Sequence, residues 1–354
     1  LEIDYLIVGQ GIAGSNLAMT FMQKGLKVLV VDTPEMQKCS RIAAGIFNPI
    51  TGVKRLKTWN ADVFFPYLTH YYQALEKQLN ATFFYPNGIY IPFETQEEQN
   101  KWFSADTDSR YENYLRKIYT TSRYAGKLND HLGGMELSFS GNIDTQTMLD
   151  AIGKHLIKHN ALRIDWLQPQ DLIEHTDKVI WKDITAKKVI FTDGQYSKKN
   201  IFFSWLRYHL VKGEVLTIEV DEDFDLKQIV NGGCWVVPLG NRSYKVGSTY
   251  DNHYENENPT EAAKEDILRR FEKLINLPYR VIEQQAAIRP ATYDRKAFIG
   301  LHPEHPNIAV FNGMGAKGIS MSPYLALVFF DFLENNQPLP KEVDIKRCWK
   351  SNKG

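Results

Sequence analysis

The sequence predicts an α/β fold built around a dinucleotide-binding, Rossmann-like βαβ unit. Two observations carry that expectation. A glycine-rich turn, Gly9-Gln10-Gly11-Ile12-Ala13-Gly14, sits between two short apolar runs, and a second glycine-rich turn follows an apolar run near the carboxy terminus. At 354 residues the chain is longer than one domain of ~150 residues, so about two domains are expected.

Tyr5-Leu6-Ile7-Val8 is a continuous apolar run, as in a strand buried on both faces. A helix follows, with Leu17, Ala18 and Phe21 on one face and Gly25 as its stop. Lys27 to Val31 reads as a second buried strand ending at Asp32. Gly9 permits the tight turn, Gly11 lets backbone approach a pyrophosphate, and Gly14 allows close helix–strand contact. The helix amino terminus at Ile12 and Ala13 presents unpaired N–H groups to phosphate, and Asp32 can accept ribose hydroxyls. These features alone do not choose between NAD and FAD.

Thr145 to His159 reads as a helix with Met148, Leu149, Ile152 and Leu156 inward, and Val189 to Gly194 as a strand entering a turn that extends the parallel sheet. Leu216 to Val220 and Tyr244 to Gly247 alternate like half-buried antiparallel strands. Thr260 to Asn276 is an amphipathic helix burying Ile267, Phe271 and Leu274. Ile308 to Phe311 is a buried strand, followed by Gly313-Met314-Gly315-Ala316-Lys317-Gly318. Ser322 reads as an N-cap with Pro323 at the first position of a helix from Tyr324 to Leu333. No third strand ending in a carboxylate follows. This end is therefore expected to bring backbone donors and Lys317 to the same cofactor rather than to form a second site.

Lys and Arg (42) balance Asp and Glu (42), so net charge gives no reason to expect a polyanionic partner, though a local basic patch stays open. Cys39, Cys234 and Cys348 are widely spaced and form no CxxC pair, which argues against a disulfide framework, zinc ribbon or iron–sulfur cluster. No metal is expected: His155 and His159 have helical spacing but lysine neighbours. The run Tyr324 to Phe330 falls short of the ~20 residues of a membrane helix. No basic-then-apolar leader precedes the first strand, so the expectation is a cytoplasmic protein without membrane insertion. The aromatic-rich region from Phe64 to Phe103 reads as core before it reads as cavity wall.

With these segments in view, the chain resembles the FAD-dependent D-amino-acid-oxidase-type family, which includes glycine oxidase and sarcosine oxidase. The resemblance runs through the amino-terminal fingerprint, Cys39-Ser40-Arg41-Ile42-Ala43-Ala44-Gly45, Ile190 to Gly194 and Val211 to Leu216. Its most specific part is Ala287-Ile288-Arg289-Pro290-Ala291-Thr292-Tyr293-Asp294, closing with Phe298-Ile299-Gly300. It implies FAD, contacted by Gly9, Gly11, Ile12, Ala13, Gly14, Asp32, Cys39, Ser40, Arg41, Ala43, Ala44 and Gly45. Leu172, Thr192, Gly194, Gly313, Gly315, Ala316, Lys317, Gly318 and Ile319 complete the implied cofactor set. Noncovalent attachment is expected, because the sarcosine-oxidase-like linkage needs a cysteine near Arg289 in the sequence and none is there.

The resemblance also implies two interleaved domains. An FAD-binding domain would take 1–75, 140–205 and 285–354, and an antiparallel-sheet substrate domain 76–139 and 206–284. Arg289 is expected to pair with a substrate carboxylate, which a planar guanidinium matches bidentately. Trp235 and Tyr250, with Tyr208 as a further candidate, are expected to shape the substrate pocket. The expected activity is oxidation of a carboxylate-bearing primary or secondary amine by hydride transfer to flavin N5, with oxygen or another acceptor taking the electrons. Two features depart from glycine oxidase: Trp235 stands where a tyrosine is expected, and Ala316 where a second arginine is expected. The Gly-Ala-Lys-Gly loop and Ala44-Gly45-Ile46-Phe47-Asn48-Pro49 look closer to the oxidase domain of a bifunctional tRNA wobble-uridine modification enzyme. That leaves two alternatives: oxidation of a carboxymethylaminomethyl-modified tRNA nucleoside, or flavin binding without amine turnover.

Overall fold

The computed structural model describes residues 1–34, 38–52, 55–105, 110–124, 126–222 and 226–349. The last five residues of the expected FAD-binding segment, 350–354, lie outside them.

The amino-terminal unit consists of β1 (Glu2–Val8), α1 (Ile12–Gln23) and β2 (Val28–Asp32). β1 lies between β2 and the Ile184–Phe191 strand and is parallel to both. Leu162–Ile164 beyond β2 and Ile308–Asn312 beyond Ile184–Phe191 continue the parallel sheet. The unbroken apolar run in β1 is explained by cover on both sides. Tyr5 and Ile7 pack with Leu17, Ala18 and Phe21 of α1, while Leu6 joins Phe203 and Leu206 across the sheet. Gly9 holds φ +106°, and a Cβ on Gly14 would collide with the Gly9 carbonyl. Only glycine permits this strand-to-helix turn.

The carboxy-terminal helix differs from the sequence expectation. It starts at Gly318 and runs to Glu334, with Ser322 and Pro323 inside it. Proline has no N–H for the carbonyl four residues back, which would leave Ile319 O unpaired. Tyr72 supplies the missing donor: its hydroxyl donates to Ile319 O at 3.0 Å. Ser322 is likewise no cap. Its Oγ donates to Gly318 O at 2.6 Å and accepts from Asn16 Nδ2 at 2.7 Å, tying this helix to α1. The stretch Gly315–Glu334 has the length and hydropathy of a membrane span, more than the Tyr324–Phe330 run suggested. Leu325, Ala326 and Phe329 are nevertheless packed in the core with residues of α1 and of the Ala61–Leu79 helix, the environment of a buried core helix.

Among the described residues a second, eight-stranded sheet is antiparallel except where Ile229–Gly232 pairs with Ile89–Pro92. Its longest strands, Tyr208–Val220 and Tyr279–Thr292, pair so that Val211 faces Arg289 and Gly213 faces Ala287. The Glu261–Leu274 helix covers one side, burying Ile267 and Phe271 against Leu216, Ile218, Val236 and Val246. Because side chains alternate along a strand, Val215 and Trp235 emerge on the opposite side. That side faces the parallel sheet. The aromatic-rich region is mainly interior, with Phe64, Phe65, Tyr72, Phe83 and Phe93 buried.

Candidate active site

At the carboxyl ends of the parallel strands lie two cavities, the usual ligand position in an open α/β sheet. One, of ≈ 380 Å³, is lined by Gly9 to Gly11, Asp32, Lys38, the Asp165–Gln170 segment and the turn from Thr192 to Tyr196. The other, of ≈ 330 Å³, is lined by Gly11 to Ala13, the loop from Cys39 to Ile46, and Asn312, Met314, Gly315, Ala316, Gly318 and Ile319. They share Gly11, Cys39, Ser40, Thr192 and Gly194. The two spaces thus form one elongated groove bent at the amino terminus of α1.

At its bend the groove is shaped by the glycine turn and the start of α1, where the Ile12 N–H, expected to be unpaired, is already bonded. Ser40 Oγ accepts the Ile12 N–H at 3.1 Å, and a Cβ at Gly11 would press on that hydroxyl at 3.0 Å. Asp32 Oδ1 accepts the Gln10 N–H at 3.1 Å, while Oδ2 pairs with Lys38. Lys38 was not anticipated; no spacing rule ties a residue of the following loop to the end of β2. The Thr192 hydroxyl donates to Gly9 O at 2.8 Å and so clamps the glycine turn to the neighbouring strand.

Not every expected cofactor residue reaches the groove. Gly14 and Gly313 act in packing: Gly14 against Gly9, and Gly313, at φ +77°, against Thr292 and Phe298. Leu172 follows the short Pro169–Asp171 turn and packs on the core formed by Leu167 and Phe191, outside both cavity linings. The neighbours Leu167 to Gln170 line the groove instead. Arg41 turns to the far side of its loop, into a separate ≈ 1030 Å³ cleft, and pairs with Asp150 at 2.6 Å. Lys317 is half-buried and outside the lining; burial, then the nearby Arg295, pull its amine below the ordinary lysine range.

Arg289, Trp235 and Tyr250 all line the ≈ 330 Å³ cavity, with Val211, Gly213, Val215 and Ser248. Tyr208 does not; it is buried against Phe298 with ring centroids 5.1 Å apart. Arg289 Nη2 donates to Ser248 Oγ at 2.8 Å and Nη1 to Thr249 O at 3.2 Å. Its guanidinium lies flat across Gly213, where any Cβ would overlap it. No carboxylate forms an ion pair with Arg289 among the described residues. Burial depresses its pKa, with Cys39 and Tyr250 nearby acting the other way. Cys39, remote from Arg289 in sequence, is thus close to it in space. Burial raises the Cys39 thiol, and Arg289 pulls it partly back. Gly213 and Ser248 were missed from sequence, although a glycine inside an alternating strand does signal close approach by another group. Among the described residues no cluster of three or more His, Cys, Asp or Glu side chains is placed to hold a metal ion. The His155 and His159 rings meet at a tilt, with centroids 4.2 Å apart, at the end of the Thr145–Lys158 helix.

The model of the FAD-dependent oxidoreductase family DAO matches residues 4–331, both glycine-rich ends and Arg289 included. The chain belongs to the DAO family. This DAO protein is an FAD-dependent oxidoreductase. Glycine oxidase from Bacillus subtilis is 27% identical over 161 residues, covering 44% of this chain and 43% of that protein. The bifunctional tRNA 5-methylaminomethyl-2-thiouridine biosynthesis protein MnmC from Marinobacter nauticus is 24% identical over 354 residues, covering 91% of this chain and 54% of that protein. The matched region therefore spans about half the length of these curated relatives. The crystal structure of iminodiacetate oxidase from Chelativorans shares the fold, with a TM-score of 0.77, 17% identity and coverage of 97% of this chain and 98% of that one.

Proposed function

We propose that this DAO protein oxidises a primary or secondary amine that carries a carboxylate, with Arg289 as the carboxylate anchor. The observation that carries the reading is a half-buried guanidinium on the cavity wall that is fixed by Ser248 and Thr249 yet has no carboxylate partner among the described residues. A desolvated, uncompensated cation is costly unless an anion completes it. Flavin supplies a hydride acceptor at N5 when bound. The chain supplies position. Arg289 grips one end of the substrate, which converts a chance encounter into an aligned α-carbon. Val211, Val215, Met314 and Trp235 surround the rest with apolar surface. The fold does not demand a general base in this role.

FAD is held noncovalently in this reading, and oxygen or another acceptor takes the electrons. A cytoplasmic location belongs to the same reading. So do the segments 1–75, 140–205 and 285–354 as the FAD-binding part, with 76–139 and 206–284 as the substrate part. The test is anaerobic mixing of the flavin-replete protein with glycine, sarcosine, D-alanine, iminodiacetate and N-carboxymethyl amines. Bleaching by at least one supports the reading; a flavin that stays oxidised with all of them refutes it.

A second reading is a carboxymethylated amine on a tRNA nucleoside. It is favoured by the match to the bifunctional tRNA-modification protein over 91% of the chain and by the absent second arginine at Ala316. Flavin binding without turnover is disfavoured. A flavin face sealed by Trp235 or Phe47 would favour it; Phe47 is buried and stacks on Phe84 at 5.3 Å, and Trp235 shares the cavity wall with Arg289.

A further inference from the structure

We propose that the rim of the flavin cavity is a docking surface for single-stranded RNA, with bases stacking on Tyr250, His209 and Tyr293 and phosphates meeting Arg207 and Arg295. The proposal rests on the amine-oxidase reading of the cavity and names the carrier of the amine.

The aromatic part is unusual for its exposure. Tyr250 is 65% exposed and Tyr293 71% exposed. The His209 ring lies between them, with centroids 4.9 Å from Tyr293 and 6.4 Å from Tyr250. Two exposed rings and the half-buried His209 ring, from different segments, meet at the rim. Strand pairing brings them together, because His209 sits opposite Ala291, two residues before Tyr293. Successive bases stack on such rings whatever their sequence.

The cationic part adjoins it. Arg207 and Arg295 are exposed and neither has a carboxylate partner among the described residues. Arg295 occupies a turn in which its N–H bonds Thr292 O at 3.1 Å, and it lies near enough to Lys317 to lower that amine. Lys296 sits 3.8 Å above the Trp59 ring and also feels Lys317. The carboxylates bearing on this area are Asp294, which Arg347 already binds at 2.9 Å, Glu342, which acts on Lys296, Asp344, which accepts the Lys346 N–H at 2.9 Å, and Asp251, which follows Tyr250 and accepts the His253 N–H at 2.8 Å. Five cations (Arg207, Arg295, Lys296, Lys317, Arg347) gather here in a chain whose overall charge is zero. A local excess in a balanced chain is concentrated where an anion would approach.

Continuity with the cavity completes the argument. Tyr250 and Ala291 belong to the lining of the cavity that holds Arg289. A strand of RNA laid across Tyr293 and Tyr250 therefore places an amine on one of its bases at the entrance. Rings interleaved with cations suit unstacked bases and phosphates.

The experiment measures binding of a fluorescein-labelled oligouridylate of about a dozen nucleotides to the FAD-bound protein by anisotropy, across a salt series. Wild type is expected to bind. Tyr293→Ala should weaken binding at least 5-fold, with Tyr293→Phe retaining it. The Arg207→Glu, Arg295→Glu double variant should weaken it at least 10-fold and flatten the salt dependence by more than one phosphate equivalent. Flavin absorbance and bleaching by small amines should match wild type in every variant, since these residues lie outside the cavity. No binding at low salt, variants that bind as wild type does, or equal binding of heparin would overturn the proposal. Oligothymidylate binding as tightly would overturn the assignment to RNA. Failure of every small amine to bleach the flavin, with oligouridylate binding intact, would count against the amine-oxidase reading alone.

Discussion

Replacing Gly213 by alanine is the sharpest single perturbation of the proposed anchor. The added Cβ would come closer than 3.0 Å to Nη1, Nη2 and Cζ of Arg289 and to no backbone atom among the nearest three. Gly213 is not in the left-handed region, so alanine can adopt its backbone without strain. The backbone should stay and the guanidinium should move, losing its bonds of 2.8 Å to Ser248 and 3.2 Å to Thr249. A carboxylate gripped by two charge-assisted bonds would then lose at least one, about 1.5–3 kcal/mol. At RT of about 0.59 kcal/mol this is about a 10- to 150-fold loss in kcat/KM for a carboxylated amine. Steady-state kinetics with any amine found to bleach the flavin measures it, beside thermal melting and flavin content. Flavin content should stay near wild type, while overpacking at this buried position should lower stability by about 1–3 kcal/mol. Unchanged kinetics in a flavin-replete Gly213→Ala protein would refute the idea that this guanidinium holds the substrate.

Further expectations concern the groove and its supports. Gly14→Ala places a Cβ against the Gly9 carbonyl and Thr192 hydroxyl, where backbone cannot yield, so the variant should purify with little or no flavin and a lowered Tm; a yellow, normally stable protein would contradict this. Burial raises the Asp193 carboxyl from 3.8 to about 6, despite donors from Ser197, Asn200 and Asn312. A raised folded-state pKa gives stability that is complete below the unfolded value and lost as pH rises through the folded one. Wild type should therefore lose stability relative to Asp193→Asn between pH of about 4 and 6, on the order of 2–3 kcal/mol, and parallel melting profiles for the two proteins would count against it. Acid precipitation should release all flavin to the supernatant. Colour left in the pellet would point to a covalent bond, with Cys39 as the first residue to replace.

The amino-terminal site was legible because its glycines answer local needs: a turn at Gly9, phosphate approach at Gly11, helix contact at Gly14. Arg289 was legible only through its motif. What positions its guanidinium is Gly213, brought close by the long antiparallel pairing of Tyr208–Val220 with Tyr279–Thr292, and Ser248, which follows the Ser243–Gly247 strand on the other edge of Tyr208–Val220. The start of the last helix was misread for a related reason. Ser322-Pro323 is a sound local start signal, but Tyr72 repairs the bond that proline cannot make, and the helix continues through it. Lys317 shows the limit of reading a loop by composition: its place beside glycines suggested the cofactor, while its side chain lies among Arg295 and Lys296 outside the cavity lining.

The central claim is that one flavin occupies the joined groove and that Arg289 holds an acid group beside it. Glycolate is a small carboxylate without an amine, so it can bind without reacting, and the visible flavin spectrum reports its arrival. Titration of glycolate into the flavin-replete wild type should give a saturable difference spectrum that vanishes in Arg289→Met at equal flavin content. A wild-type spectrum indifferent to glycolate, or the same response from Arg289→Met, would contradict the account.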